Sequence, residues 1–146
     1  MLMDARYDRL FQLRYCLLSA LRLFFTGFAD DAISLIQDGL SNSKKGKTED
    51  IEDLRLSLTM FLALCNNQKS LKMLTLLTRS DAWYEKNLGM LWTIRKNLME
   101  ILIQAQFSNI ELAMSRINSF RRRYKKYLLK TSEDRVMRYL VLVERY

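Results

Sequence analysis

The sequence predicts an all-α protein of about seven helices folded as stacked antiparallel pairs. Three observations point there. The 146-residue chain contains no proline and only four glycines, the residues that punctuate the turns of β folds. Leu, Met, Lys, Arg and Gln are abundant, and all are good helix formers. Apolar residues recur at steps of three and four over most of the chain, the spacing of one buried helical face.

The elements follow in order. A first helix spans about 4–25, with Leu10, Leu13, Leu17, Leu21, Phe24 and Phe28 on its inner stripe and Asp4 as N-cap. Gly27 marks the turn. A second helix spans about 29–40, with Ile33, Ile36 and Leu40 inward. Ser41 to Lys47 is polar and lacks an apolar anchor, so it is the one clear loop and the most mobile internal segment. Thr48 or Asp50 caps a third helix over about 51–65, with Leu54, Leu58, Phe61, Leu62 and Cys65 apolar. Asn66 and Asn67 end it, since Asn tolerates the left-handed conformation.

A short fourth helix covers about 68–78, with Leu71, Leu74 and Leu77 inward. Ser80 or Asp81 caps a long fifth helix over about 82–106, which carries Trp83 and Trp92 and has Gly89 inside it. Gly89 weakens that helix by about 1 kcal/mol relative to Ala; its expected reason is close packing against a neighbour, with a kink as the alternative. Ser108 or Asn109 caps the sixth helix, about 110–129, striped by Ile117, Phe120, Tyr124 and Tyr127. Thr131 to Asp134 starts a seventh, with Val136, Tyr139, Leu140 and Val143 apolar. The expected core includes Leu17, Leu21, Phe24, Ile36, Leu58, Leu74, Leu98, Leu102, Ile117 and Phe120.

Three helix-turn-helix units superpose: 4–41, 50–78 and 82–129, with 132–146 as a terminal helix, all within one domain. Small residues Ala32, Ser70 and Ala113 recur 38 and 43 residues apart, and Ile36, Leu74 and Ile117 lie four residues beyond them. A small residue lets two helix backbones approach, and the aliphatic one fills the groove beyond. In the first unit Ala20, Leu23, Phe28, Ala32, Ile36 and Gly39 match the alternation of small, large and aromatic residues of the tetratricopeptide (TPR) family, which this chain resembles. The repeat is longer than the family's 34 residues, and its terminal proline and tryptophan-leucine-glycine start are absent. From Trp83 to Tyr146 the chain also resembles the C-terminal part of uncharacterised bacterial TPR-like proteins, which are longer; the present chain would be a terminal piece of something larger. The resemblance implies a short α-solenoid that binds a peptide or helix on a concave surface. Arg14, Arg55 and Arg95, on the first helices of the pairs, would be partner-binding residues.

The net charge of +8 is uneven. From Ile110 onward ten Lys or Arg face four Asp or Glu, whereas the first 109 residues carry only +2. Arg121, Arg122, Arg123, Lys125 and Lys126 form the densest basic run. The first reading is a solvated helix face near a helix C-terminus, which the dipole favours. The alternative is nucleic-acid or other polyanion binding. Phe120, Tyr124 and Tyr127 are spaced to be buried rather than to stack on bases.

Catalytic chemistry finds no support. The chain has no histidine, which removes the commonest general base and metal ligand. The acids Glu49, Asp50, Glu52 and Asp53 open a helix, where the dipole favours carboxylates. Cys16 and Cys65 lie in apolar runs and read as small buried hydrophobes. No glycine-rich phosphate loop, zinc spacing or EF-hand spacing occurs. The expectation is therefore a protein scaffold and not an enzyme, with no catalytic, metal or cofactor-binding residues. Its partner would be a protein or peptide, with nucleic acid second and no membrane. The longest uncharged stretch, Leu56 to Gln68, is 13 residues, whereas a span needs about 20. With charged residues also interrupting the N-terminus, the expected location is cytoplasmic.

Overall fold

The computed structural model describes residues 5–43, 46–131 and 134–145, with side chains from Phe11 onward in the first helix and from Arg135 onward in the last. The expectations for Asp4, Leu10, Lys44, Lys45, Ser132 and Glu133 lie outside the described residues. Within them there are eight helices and no strand. They are α1 (Ala5–Phe25), α2 (Ala29–Ser41), α3 (Thr48–Leu64), α4 (Lys69–Leu74), α5 (Asp81–Leu88), α6 (Met90–Gln106), α7 (Ile110–Lys130) and α8 (Asp134–Arg145). Helices hold well over two-thirds of the described residues. The chain gathers into two compact units, Met1–Arg79 and Ser80–Tyr146, where the sequence had suggested one domain.

One turn closes three of the helix pairs. After α1, Gly27 has φ +96°, Phe28 N–H donates to Leu23 C=O (2.9 Å) and Gly27 N–H to Phe24 C=O (3.3 Å). After α3, Asn66 has φ +54°, with Asn67 N–H on Leu62 C=O (2.8 Å) and Asn66 N–H on Ala63 C=O (2.9 Å). After α6, Ser108 has φ +64°, with Asn109 N–H on Gln104 C=O (2.9 Å) and Ser108 N–H on Ala105 C=O (3.2 Å). This paired 6→1 and 5→2 bonding around a left-handed residue is the Schellman motif, and it satisfies carbonyls that the helix end would orphan. The residue types differ, but the hydrogen bonds repeat. Shortly after each turn comes a buried small residue: Ala32, Ser70 or Ala113.

The first unit packs α1 and α3 through Leu13, Leu17, Leu54, Leu58 and Phe61, and closes over them with Ile36 of α2. Phe24 stacks on Phe61 at 4.2 Å between ring centroids. Gly39 sets the approach of α2 to α1, because a Cβ there would sit 2.8 Å from Cys16 Sγ. The second unit is built around Ile94 and Ile101 of α6, Ile117, Phe120, Tyr124 and Leu128 of α7, and Leu140 of α8.

Several expectations are corrected. The long fifth helix is two helices. Gly89, at φ +97° and ψ 162°, ends α5 and begins α6; a Cβ there would meet nothing within 4 Å, so close packing is not the reason for this glycine. Thr48 and Asp50 do not cap α3, because the helix already starts at Thr48 and Asp50 is turned to an ion pair. Ser80 does cap α5, accepting from Trp83 N–H at 3.2 Å. Asn109 sits at the N-cap of α7, yet its side chain donates to Gln104 Oε1 instead (2.8 Å). Helix α4 stops at Leu74, and Leu77 is buried from the following loop. Leu102, Phe28 and Cys65 are exposed. Ile101 and Ile103 take the inward positions that were expected of Leu102. Leu21, Phe24, Leu74 and Leu98 are half-buried, and the other expected core residues are buried.

Candidate binding surfaces

The arginines singled out in the first unit are engaged. Arg14 divides its guanidinium between Asp50 and Asp53 of α3, both at 2.9 Å. The acidic opening of α3 thus holds α1, besides placing carboxylates near a helix N-terminus. Arg55 reaches back along its own helix to the buried Glu52 (2.8 Å). Arg95, in the second unit, is exposed on α6.

The basic run of α7 divides into two populations. Arg121 holds both carboxylate oxygens of Glu144 on α8, at 2.6 and 2.8 Å. Arg123 holds both oxygens of Glu85 on α5, at 2.9 and 3.2 Å, and lies over the Tyr124 ring. The buried Tyr124 hydroxyl donates to the same Glu85 oxygen at 2.9 Å. Arg123 holds the Glu85 carboxyl below its ordinary range, outweighing desolvation. Burial, and then the bond to Glu85, push the Tyr124 phenol well above its usual value. These two arginines fasten helices together. Arg122, Lys125 and Lys126 are exposed and make no ion pair or hydrogen bond among the described residues. Of the five residues expected to take an anion, three are free to do so.

A second polar cluster lies on α5, α6 and α7. The buried Lys96 ammonium sits 3.6 Å from Asp81 and from Glu100, over the ring of Tyr84, and Arg116 reaches Glu100 at 3.3 Å. Beside it is an open cleft of about 470 Å³ lined by Asp81, Asn97, Arg116, Ser119, Arg122 and Arg123. Three arginines and one aspartate line it, but Arg116 is paired with Glu100 and Arg123 with Glu85, which leaves Arg122 as its unpaired cation among the described residues.

The first unit has an open groove of about 990 Å³ on α1 and α2, with Leu13, Cys16, Leu35 and Gly39 in its lining and Asp38 beside them. The Cys16 thiol donates to Leu35 C=O, and burial followed by the Asp38 charge raises its pKa. A thiol held protonated is a poor nucleophile. Among the described residues no cluster of three His, Cys, Asp or Glu could hold a metal ion.

Sequence reading missed one surface. Tyr15, Leu18 and Phe25 of α1 are 74%, 61% and 69% exposed. With Arg22 they fall at steps of three, four and three, so they share one face of the helix. The signal was present: apolar residues occur outside the inward stripe, making α1 apolar on more than one side.

No helix among the described residues is long and apolar enough to cross a membrane. Compared with models of protein families, with curated proteins and with solved structures, the chain matches none.

Proposed function

We propose that the chain is a protein–protein interaction scaffold, a short TPR-like array of helix pairs that binds a peptide or helix. The observation that carries this reading is the outward face of α1. Tyr15, Leu18 and Phe25 are large, apolar or amphipathic, and exposed in a line. An amphipathic helix laid along such a line buries its own stripe by matching three- and four-residue spacing. Aromatic residues also dominate interface energetics, because they bury much area for little lost rotamer freedom. The three identical Schellman turns support the repeat-like reading of the helix pairs. Since Arg14 and Arg55 are committed to acids of their own unit, the binding weight falls on the α1 stripe instead.

The test is affinity capture under nuclease treatment, comparing the native chain with a Tyr15→Glu, Leu18→Glu variant. A stoichiometric partner held by the native chain and lost by the variant, at unchanged circular dichroism, supports the reading. Identical capture by both chains sinks it.

A second reading, polyanion binding through α7, is favoured by one observation: Arg122, Lys125 and Lys126 stay free while their neighbours Arg121 and Arg123 are paired. Its binding should weaken steeply with salt, because each neutralised phosphate releases counterions.

A further inference from the structure

We propose that the outer face of the α7–α8 hairpin docks on an anionic lipid bilayer. This rests on the polyanion reading and names the surface that carries the charge. The geometry starts from Arg121 and Glu144, whose bidentate contact fixes which edge of α7 meets which edge of α8. Residues three or four apart share a helix face. Lys125 therefore follows Arg121 along its edge, and Val141 precedes Glu144 along the other. One step further out on α7 come Arg122 and Leu129; on α8 come Arg138 and Arg145. All six are exposed. The face thus presents four cations with no acidic partner among the residues whose side chains are described, around two aliphatic side chains, Leu129 at 60% and Val141 at 40% exposure.

Charge complementarity calls for an anionic partner, and the remaining chemistry chooses its kind. Nucleic acid bound without sequence preference uses exposed aromatic rings as stacking platforms. On α7 and α8 Phe120 and Tyr124 are buried, and Tyr127 and Tyr139 are half-buried. What is exposed among the cations is aliphatic, and that is the composition of surfaces lying at the headgroup boundary of acidic membranes. The sequence argued against a membrane span, and docking on a bilayer surface needs none; Val141 of α8 adds to the apolar part that Leu129 supplies on α7.

The experiment is sedimentation of the full chain with vesicles of equal parts phosphatidylserine and phosphatidylcholine, beside pure phosphatidylcholine vesicles and a single-stranded oligonucleotide. Binding to the acidic vesicles alone among the two lipids is expected. A Lys125→Gln, Arg145→Gln variant should bind them about 25-fold more weakly, since each of the two surface charges contributes about fivefold. A Leu129→Ser, Val141→Ser variant should lose about tenfold on vesicles and nothing on the oligonucleotide. In the unaltered chain, acidic vesicles should slow amine acetylation of Lys125 while pure phosphatidylcholine vesicles leave it unchanged, which tests the docking face without relying on any variant's folding. Oligonucleotide binding without vesicle binding overturns the bilayer proposal and leaves the polyanion reading standing. Binding of neither removes both. Vesicle binding that ignores the Ser pair, or leaves Lys125 fully reactive, also overturns the proposal.

Discussion

Glu85 is the single acceptor on which two groups of α7 converge, so its removal has a calculable consequence. Glu85→Ala leaves the Tyr124 hydroxyl without its acceptor, and Tyr124 is buried. An orphaned buried donor costs about 1–3 kcal/mol. The Arg123 contact is bidentate but 42% exposed on the arginine side, so its loss adds only about 0.2–1 kcal/mol. The sum is about 2 kcal/mol against the second unit. Tyr124→Phe alone removes the donor but leaves Glu85 paired with Arg123, and should cost about 1 kcal/mol. In the Glu85→Ala background the same change deletes the orphan and should be neutral or stabilising. The coupling energy of the cycle is then about 1 kcal/mol or more. Urea unfolding followed by tryptophan fluorescence is the right assay, because both tryptophans, Trp83 and Trp92, lie in the second unit. Additive single changes would refute the reasoning, as would a Glu85→Ala cost under about 0.5 kcal/mol, the scatter of ordinary surface changes. The pH dependence has a definite sign. Glu85 is lowered in the fold, so its stabilisation is complete above the unfolded carboxyl value, near 4.3, and fades as pH falls through the folded one. Tyr124 is raised, so its stabilisation is complete below the unfolded phenol value, near 10, and fades as pH rises through the folded one. The Glu85→Ala chain should lack the acid-side loss that this carboxylate contributes.

Three further outcomes follow from the packing. Gly39→Ala places a methyl group 2.8 Å from Cys16 Sγ and should cost about 1–3 kcal/mol, partly restored by Cys16→Ala; a thermal shift for Gly39→Ala that Cys16→Ala does not reduce would show that the contact is not the cause. Gly89→Ala forces a side chain onto φ +97° and should destabilise the second unit by about 1–3 kcal/mol, although its Cβ meets no neighbour; a neutral result in urea would mean that α5 and α6 join into one helix. In the native chain a thiol reagent should modify Cys65 rapidly and Cys16 only on unfolding, since Cys16 is buried with a raised pKa and Cys65 is exposed; equal rates by mass spectrometry would contradict that placement.

The helix pattern was legible because periodicity is a local property. Ile36, Leu58, Ile117 and Phe120 occupy the inward positions that their spacing dictates. The turns were legible at Gly27 and Asn66, residues suited to a left-handed backbone, and less so at Ser108, which adopts the same conformation without that preference. At Gly89 the sequence favoured a tight contact over a kink, because a lone glycine in a helical run fits both, and the structure breaks the helix there. Only the backbone decides between them. Leu102 was misplaced because α6 is apolar at Ile101, Leu102 and Ile103 in succession, and period alone does not choose among three adjacent candidates. Polar partners across helices were not legible at all. Arg14 with Asp50 is 36 residues apart, and Arg123 with Glu85 is 38, distances over which spacing carries no information.

That last failure bears on what the charges do. Counted along the sequence, Arg121, Arg122 and Arg123 are equivalent. A helix turns by about 100° per residue, so the three consecutive side chains are sent toward three different surroundings. Arg121 meets α8, Arg123 meets α5, and Arg122 meets solvent. The two paired arginines add nothing to the outward field, because each is neutralised by a carboxylate within hydrogen-bond reach. The excess that an approaching anion senses comes instead from exposed cations scattered through the sequence, and of these the α7–α8 hairpin brings Arg122, Lys125, Arg138 and Arg145 onto one face. The densest basic run therefore marks where helices are fastened as much as where a partner would bind. Reversing Arg121 should loosen α8 from α7, whereas reversing Lys125 should change only the outward field. Circular dichroism of the two variants, read beside their vesicle binding, separates those roles.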